Sequence, residues 1–500
     1  MSDLMDAHYE VVVVGGGNAA LCAALAAAEG GASVLLLERA PYEERGGNSA
    51  FTAGAIRFAY DGVDDILSLC PDLPPEQVAK TDFGTYTVAD FLDDIGRVTE
   101  YRCDPDLAEI LATRSFETMQ WMQSRGVRFA PIYGRQAFKV DGRFTFWGGL
   151  TLEAVGGGPG LVDALTTAVE KAGVSIRYRT RAMDLITDRR AVTGVRYLDG
   201  GEERALAADA VVLACGGFEA NVEWRTRYLG PGWDLAKVRG TRFNTGDGIR
   251  MALDAGAMPW GNWSGAHAVA WDLHAPPFGD LSVGDAFQKH SYPFSVMINA
   301  EGRRFLDEGA DFRNYTYAKY GRVILAQPQQ FAWQVFDAKT IPYLRDEYRI
   351  RRITKVSGST LEELAAKLEG VDAEQFLETI EEYNAAVMTD VPFNPNVKDG
   401  RGTKGLAIEK SNWANTINTP PFEAYAVTCG VTFTFGGLRI NEASQVIDTE
   451  GDVIPGLYAA GELVGGLFYF NYPGGTGLIN GSVFGKIAGD SAARMVRRSA

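Results

Sequence analysis

Apolar and polar positions alternate in the clearest blocks near the start of the chain, where residues 10–38 read EVVVVGGGNAALCAALAAAEGGASVLLLE. Residues 11–14 are all valine, too apolar for a strand with one wet face, and predict a strand in the middle of a parallel sheet. The glycines at 15–17 turn the chain into Asn18–Glu29, whose alanine-rich composition favours helix. Residues 33–37 predict a second buried strand that ends on Glu38. Strand, tight turn, helix, strand and acid in this register form a dinucleotide fingerprint with alanine as its third small residue: Gly15, Gly17 and Ala20. Gly15 makes the turn, Gly17 lets a pyrophosphate approach the backbone, and Ala20 lets helix and strand pack closely. The helix start at Asn18 and Ala19 offers free N–H groups and a positive dipole end to phosphate. Glu38, followed by Arg39, can accept from ribose hydroxyls and repels a 2′-phosphate, so FAD or NAD is favoured over NADP.

Small residues dominate again at 46–55, GGNSAFTAGA, which predicts a loop pressed against a planar ligand. Gly46 and Gly47 permit the approach, and Asn48 and Ser49 can hydrogen-bond a pyrophosphate or a flavin edge. Residues 60–123 are mostly helical in pattern, with apolar Phe91, Leu92, Ile95, Leu107, Ile110 and Leu111, and with Asp104-Pro105 as a helix entry. Residues 126–150 form an aromatic and basic block with a hairpin turn at Asp141-Gly142. Its Arg135, Lys139 and Arg143 are read as solvating an edge rather than facing a ligand. A helix is expected over 161–172, strands at 175–178 and 191–197, and a turn at Asp199-Gly200-Gly201. Residues 208–214 predict another buried strand, running through Ala214 into Gly216 and Gly217, where ligands of open α/β sheets sit. Ala182 is placed with these three against the cofactor. Residues 244–257 are expected to be a helix capped by Thr245 or Asp247 and ended by Gly256.

From about Trp260 the composition turns to aromatics, proline and three of the four histidines (His267, His274 and His290), which marks a substrate domain. Residues 294–305 and 361–388 suggest a strand pair and helices of a separate α+β unit. The β pattern returns near Thr428, and a third glycine cluster, PGLYAAGELVGG, precedes FNYPGGTGLINGSVFGKIAG and a closing helix.

Five hundred residues imply at least two domains, because one core seldom grows beyond about 250–300 residues. A net charge of −16 argues against nucleic acid or an anionic membrane as main partner, although a local arginine pocket can override the global field. The five cysteines are scattered, with no CxxC pair and no metal-ligand spacing, which excludes a recognisable zinc or iron–sulfur site and suits a cytoplasmic location. No secretory segment precedes the first strand, and no apolar run reaches the ~18 residues of a membrane span.

Together, VVVVGGGNAA, Glu38, ERGGNSAFTAG, VVLACGGFEAN, NTGDGIRMALDAGA, INAEGRRFLDE and PGLYAAGE resemble the fumarate reductase/succinate dehydrogenase flavoprotein superfamily. The first ~60 residues and YGRQAFKVDGRF are most similar to FAD-dependent tricarballylate dehydrogenases. The resemblance implies an α/β fold: a Rossmann-like FAD-binding domain of glutathione-reductase type, residues 1–262 and 430–500, with an inserted α+β capping domain, residues 263–429. Flavin N5 would exchange a hydride with the substrate while a protein group moves a proton at the neighbouring carbon. Asn48, Ser49, Thr52 and Gly54 match the loop beneath the flavin, and Glu462, next to Gly461, matches an acid that holds the ribityl chain. Gly477 and Leu478 are assigned to the cofactor as well. Arg313 lies one residue from the family's proton-delivering arginine. The first flavin loop carries no histidine for covalent attachment, and His8 is too early, so non-covalent FAD is implied. Thr432 and Phe433 stand where fumarate reductases place a carboxylate-binding histidine, and Tyr472-Pro473 replaces the segment bearing a carboxylate-binding arginine. The Tyr-Pro-Gly element also resembles ketosteroid dehydrogenases, where such a tyrosine hydrogen-bonds a ketone oxygen.

Removing hydrogen from adjacent carbons needs a hydride acceptor, a base, and stabilisation of the charge that develops on a neighbouring carbonyl or carboxylate. Arg313 is the expected proton-transfer group, helped by a relay starting at Asp307 or Glu308, because an arginine of ordinary pKa is a poor base. Tyr472 is the expected hydrogen-bond donor or acid, and Thr432 a further donor to substrate. Each histidine of the presumed cap is read as structural. Arg57, Arg242, Arg303 and Arg349 are available as guanidinium forks for carboxylates. The leading expectation is an FAD-dependent enzyme acting on tricarballylate to give cis-aconitate. A separate, membrane-associated electron-transfer protein is expected to reoxidise the flavin. The alternatives are a desaturase of a cyclic ketone or 3-ketosteroid, an oxygenase of the kind used in corrin synthesis, and a non-catalytic flavin-bound subunit.

Overall fold

The computed structural model describes residues 7–499. Val11, Val12 and Val13 are fully buried in strand His8–Val14, at the centre of a parallel layer. Val34–Leu37 pairs with it on one side, Val11 opposite Val34, and Glu202–Leu213 on the other, Val14 opposite Leu213. Ser175–Arg177 extends the layer beyond the first neighbour and Val453–Ala459 beyond the second, both in parallel, so both ends of the chain build it. The amino half of Glu202–Leu213 pairs antiparallel with Ala191–Asp199 through the expected turn, where Gly200 and Gly201 both adopt positive φ.

The helix Asn18–Glu29 has no polar face because it is covered on both sides. One side meets the sheet, and the other meets the closing helix Thr476–Ser499. That helix presents Gly481, Gly485 and Gly489 at a spacing of four, and a Cβ on Gly485 would sit 2.4 Å from the Ala19 carbonyl oxygen. Small residues on both helices thus bring backbone against backbone. The Asn18 side chain locks the pair, donating through Nδ2 to the Leu478 carbonyl (2.7 Å) and to Ser482 Oγ (3.0 Å). The two helix amino termini are thereby held side by side.

The second sheet is organised by the long strand Phe422–Leu438, which starts six residues before the β pattern was expected. It pairs antiparallel with Pro259–Asp272, Ala332–Phe336 and Lys355–Gly358, and parallel with Lys237–Val238. A second core, including Val296, Trp333, Phe376, Ile380 and Phe422, packs beneath Leu361–Ala365 and Ala373–Ala386. Only Val296–Ile298 of the stretch 294–305 is strand. Residues 262 and 429, at the edges of the expected capping domain, lie in Pro259–Asp272 and Phe422–Leu438, which pair with each other in this second sheet. Among the described residues no helix is long and apolar enough to cross a membrane.

Candidate active site

One cleft runs from the carboxyl ends of the parallel strands to the second sheet, lined at one end by Gly15, Gly17, Glu38 and Arg39 and at the other by Arg313, Thr432 and Tyr472. The two fingerprint glycines are glycine for different reasons. Gly15 has φ +116°, and a Cβ there would meet the Ala214 carbonyl oxygen at 2.3 Å, so the protein itself forbids a side chain. Gly17 has φ −80°, which any residue adopts, and a Cβ would meet only Gly46 O and Ser49 Oγ at 3.5 Å. A Cβ on Gly47, opposite, would touch only Gly17 Cα at 4.0 Å. Gly17 has no side chain to cap the helix that follows, and the Asn18 amide donates instead to Ser49 Oγ at 3.0 Å. The lane between these glycines, at a helix amino terminus with no acid in its first turn, fits the pyrophosphate of FAD.

Of the other residues expected at the cofactor, Asn18, Ala19, Asn48, Ser49, Thr52, Ala182, Ala214, Gly216, Gly461, Glu462, Gly477 and Leu478 line the cleft as well. Ala20, Gly46, Gly54 and Gly217 do not, and shape its walls instead. A Cβ on Gly54 would lie 2.7 Å from Gly157, and one on Gly46 would lie 2.8 Å from Val162. Glu38 is buried, accepts from the Ala40 amide (2.6 Å), and is pushed up to about 7, chiefly by desolvation. Arg39 is committed to Thr245 Oγ1 (2.6 Å) and Asp247 Oδ2 (2.9 Å), and Arg181 takes both Asp247 oxygens at 3.0 Å. Neither Thr245 nor Asp247 therefore caps the helix Asp247–Asp254, which starts from Gly246 in the left-handed conformation. Gly256, with φ +93°, follows its end as expected. Asn48 is fully used within the protein: it donates to Glu219 Oε1 and to the Thr432 carbonyl, both at 2.7 Å, and accepts from the Thr241 amide at 2.9 Å. Thr52 closes its own loop on Ser49 O (2.9 Å) and Gly54 N (3.1 Å).

Glu462 faces a second buried acid that the sequence did not single out. Asn244 Nδ2 lies 2.6 Å from Glu219 Oε1 and 3.5 Å from Glu462 Oε2, and Thr434 N donates to Glu462 Oε1 at 2.9 Å. Glu219 Oε2 is buried and has no hydrogen-bond partner among the described residues. Desolvation, then the neighbouring Glu462 charge, pushes Glu219 well above the usual carboxylate range, so the pair shares one proton with Glu219 holding it. The folded protein therefore holds a proton that the unfolded chain gives up, and stability falls as pH rises from the usual carboxylate range toward the raised value. Glu219→Gln keeps a neutral donor and removes this linkage. Thermal midpoints measured between pH 5.5 and 8.5 are expected to fall less steeply in the variant, and equal slopes would contradict the shared proton.

At the other end, Arg313 enters from a turn, Arg313–Tyr315, that precedes the helix Tyr317–Leu325. Among the described residues it makes no salt bridge: NH1 donates to His290 Nδ1 (3.1 Å), NH2 to the Arg135 carbonyl (2.6 Å), and Nε is buried without a partner. Burial, and with it the Arg135 charge, lowers its pKa against the opposing pull of Glu347. The expected relay is absent. Asp307 serves Ser411 and the Gly309 amide, and Glu308 serves Arg304 and the Met297 amide. Glu347 is the acid acting on Arg313, buried and with neither oxygen hydrogen-bonded. Tyr472 hydroxyl meets Tyr317 hydroxyl at 2.6 Å, and burial raises its pKa well above the ordinary value. Thr432 Oγ1 accepts from Arg239 NH1 at 3.5 Å.

The arginines that line this end differ from those expected. Arg135, read as an edge residue, lines the cleft and binds Asp285 Oδ2 at 2.7 Å, whereas Lys139 and Arg143 are exposed as expected. Arg239 binds the other Asp285 oxygen through Nε (2.8 Å) and NH2 (2.6 Å). Arg57 is fully buried but spends its donors on Gly474 O and Tyr86 OH, each at 2.8 Å, on Gly148 O and on Asp94 Oδ2 (3.4 Å). Arg242, Arg303 and Arg349 bind Glu44, Gln375 and Asp346 away from the cleft. His267 and His290, read as structural, both line it, while His274 pairs with Thr354 outside. His267 stands opposite Phe433 in the strand ladder, so a histidine is supplied one strand over from the position where the resemblance expected it. Because His290 Nδ1 accepts from Arg313, its Nε2 carries the hydrogen, and that atom has no partner. Burial and the adjacent guanidiniums hold both imidazoles well below the usual histidine range, and hence neutral at pH 7.

A nucleotide-binding parallel layer whose cleft ends in paired arginines, histidines and a tyrosine defines a flavin-dependent oxidoreductase. Residues 10–478 match the FAD binding domain family. The chain is 30% identical over 470 residues to a probable fumarate reductase, Ifc3, of Shewanella frigidimarina, covering 92% of this chain and 70% of that protein. It is 28% identical over 386 residues to a 3-oxosteroid 1-dehydrogenase of Mycobacterium tuberculosis, covering 71% of this chain and 66% of that one. The open conformation of a flavocytochrome c3 fumarate reductase superposes with a TM-score of 0.72 at 27% identity, over 99% of this chain and 80% of the other. The chain belongs to the FAD binding domain family, within the fumarate reductase/succinate dehydrogenase flavoprotein superfamily. It is an FAD-dependent oxidoreductase acting on CH–CH groups.

Proposed function

We propose that the protein dehydrogenates, or in reverse reduces, a C–C bond α,β to a carboxylate, with tricarballylate to cis-aconitate as the leading reaction. The observation that carries this reading is the set of three guanidiniums, Arg135, Arg239 and Arg313, at the end of the cleft where Asp285 is the lining carboxylate and binds only the first two. FAD, when bound, supplies the hydride acceptor or donor. Arg313 takes the proton from the neighbouring carbon in the oxidative direction and returns it in reduction, its pKa lowered by burial and by Arg135. Tyr472, oriented by Tyr317, donates a hydrogen bond to the oxygen on which charge develops. FAD is held without a covalent bond, since residues 46–55 contain no histidine. A separate electron-transfer protein exchanges electrons with it.

The Tyr472–Tyr317 pair, together with the 3-oxosteroid relative, favours a second reading in which the activating group is a ketone. The two readings differ in which compound reduces the bound flavin without air: a carboxylic acid under the first, an uncharged ketone under the second.

A further inference from the structure

Charges at the reacting end do not balance within the protein. Asp285 is saturated, accepting from Arg135 NH1 (2.7 Å), Arg239 Nε and NH2 (2.8 and 2.6 Å) and Gln288 Nε2 (2.5 Å). Its side chain is 4% exposed, that of Arg239 8% and that of Arg135 24%, so one carboxylate screens a buried guanidinium and a partly exposed one. Arg313 adds a third guanidinium without a carboxylate partner. The cleft histidines are neutral and cannot offset this charge. Among the residues lining this end of the cleft, three guanidiniums thus stand against one carboxylate, with Glu153 and Glu347 acting from behind them, an arrangement that an anion in the cleft completes. Behind Arg313, the acid Glu347 is matched by Arg345 and Lys289, which it also influences. Arg135 keeps Nε and NH2 beyond its bond to Asp285, Arg239 keeps only NH1, which reaches Thr432 Oγ1 at 3.5 Å, and both residues line the cleft.

Position adds to charge. The sites where the resemblance expects a carboxylate-binding histidine and arginine hold Thr432-Phe433 and Tyr472-Pro473. Arg239 stands beside the first of these, its amide donating to Val431 O (2.8 Å) and its NH1 to Thr432 Oγ1 (3.5 Å). Asp285 fixes both guanidinium planes before any ligand arrives, which reduces the ordering cost of binding.

We propose that Arg135 and Arg239, clamped by Asp285, form the main carboxylate subsite of this cleft, and that the ligand it selects is a small acid with at least two carboxylates. The inference rests on the reading of the substrate as an acid. Binding without turnover tests it, through perturbation of the oxidised-flavin spectrum as the air-equilibrated holoprotein is titrated. The probes are tricarballylate, succinate, dimethyl succinate and a 3-ketosteroid. Arg135→Gln and Arg239→Gln are expected to weaken both acids by about 10- to 100-fold, the loss of a charge-assisted fork, and to leave the diester unchanged. Arg135→Lys, which keeps the charge and loses the fork, is expected to fall between parent and Arg135→Gln, and it serves if Arg239→Gln does not fold with full flavin content. Acid binding at parental affinity in both glutamine variants overturns the proposal, as does diester binding as tight as succinate. If the parent oxidises an acid but these variants bind normally, only the subsite falls. If only the ketosteroid binds the parent, the acid reading falls with it.

Discussion

Arg313→Gln is expected to lower turnover by about 10²–10⁴-fold, the usual contribution of a positioned proton-transfer group. Glutamine can still donate toward His290 and the Arg135 carbonyl, the two hydrogen bonds Arg313 makes, so the turn Arg313–Tyr315 keeps its support. Lost are the charge and the exchangeable guanidinium proton. Flavin content is expected to stay at the parental level, because no residue at the Gly17 and Glu38 end of the cleft hydrogen-bonds Arg313. Stopped-flow reduction of the bound flavin by substrate separates this chemistry from binding. A variant that reduces its flavin at the parental rate would remove Arg313 from the reaction and shift attention to the Tyr472–Tyr317 pair.

Gly17→Val is expected to give a folded protein that retains little FAD, with affinity lower by about 100-fold or more, the effect of forcing a branched side chain into a filled space. The protein tolerates the change: φ is −80°, and a Cβ meets nothing nearer than 3.5 Å. The cost falls on the ligand, whose pyrophosphate needs that lane. Gly15→Val is the contrast, since φ +116° and a 2.3 Å approach to Ala214 O place the cost on the fold itself. Flavin released by acid precipitation and counted per protein chain checks both this effect and the absence of a covalent bond. Flavin-replete Gly17→Val would contradict the placement of FAD, and flavin that stays with the parent's precipitate would contradict non-covalent attachment.

The adenosine end was legible because its signal is local. Gly15, Gly17, Ala20 and Glu38 lie within one crossover, where spacing alone sets geometry. The apolar helix Asn18–Glu29 was likewise readable as buried, though the glycine ladder that covers it comes from more than 450 residues away. At the substrate end Arg135, Arg239, Asp285 with His290, and Arg313 come from four separate stretches, and no period or motif links them. Arg135 sits in a basic hairpin block that looks like an ordinary solvated edge until Asp285, 150 residues on, binds it. Arg57 shows the converse: among the arginines expected to hold substrate it is the most buried, yet its donors end on backbone carbonyls, a tyrosine and the Asp94 carboxylate. Asp247 has the sequence context of a helix cap, but two arginines from the nucleotide layer claim its carboxylate. Glu219 was passed over because an acid after Gly-Gly-Phe carries no local signal, and only the fold brings it to Glu462.

The most direct test of the central claim is anaerobic mixing of the holoprotein with tricarballylate, succinate and a 3-ketosteroid in turn, following the oxidised-flavin band near ~450 nm, the acceptor step on which the chemistry depends. Bleaching by tricarballylate, with cis-aconitate recovered and the reaction halting after one flavin equivalent until an electron acceptor is added, is the predicted result. Bleaching by the ketosteroid alone would contradict it.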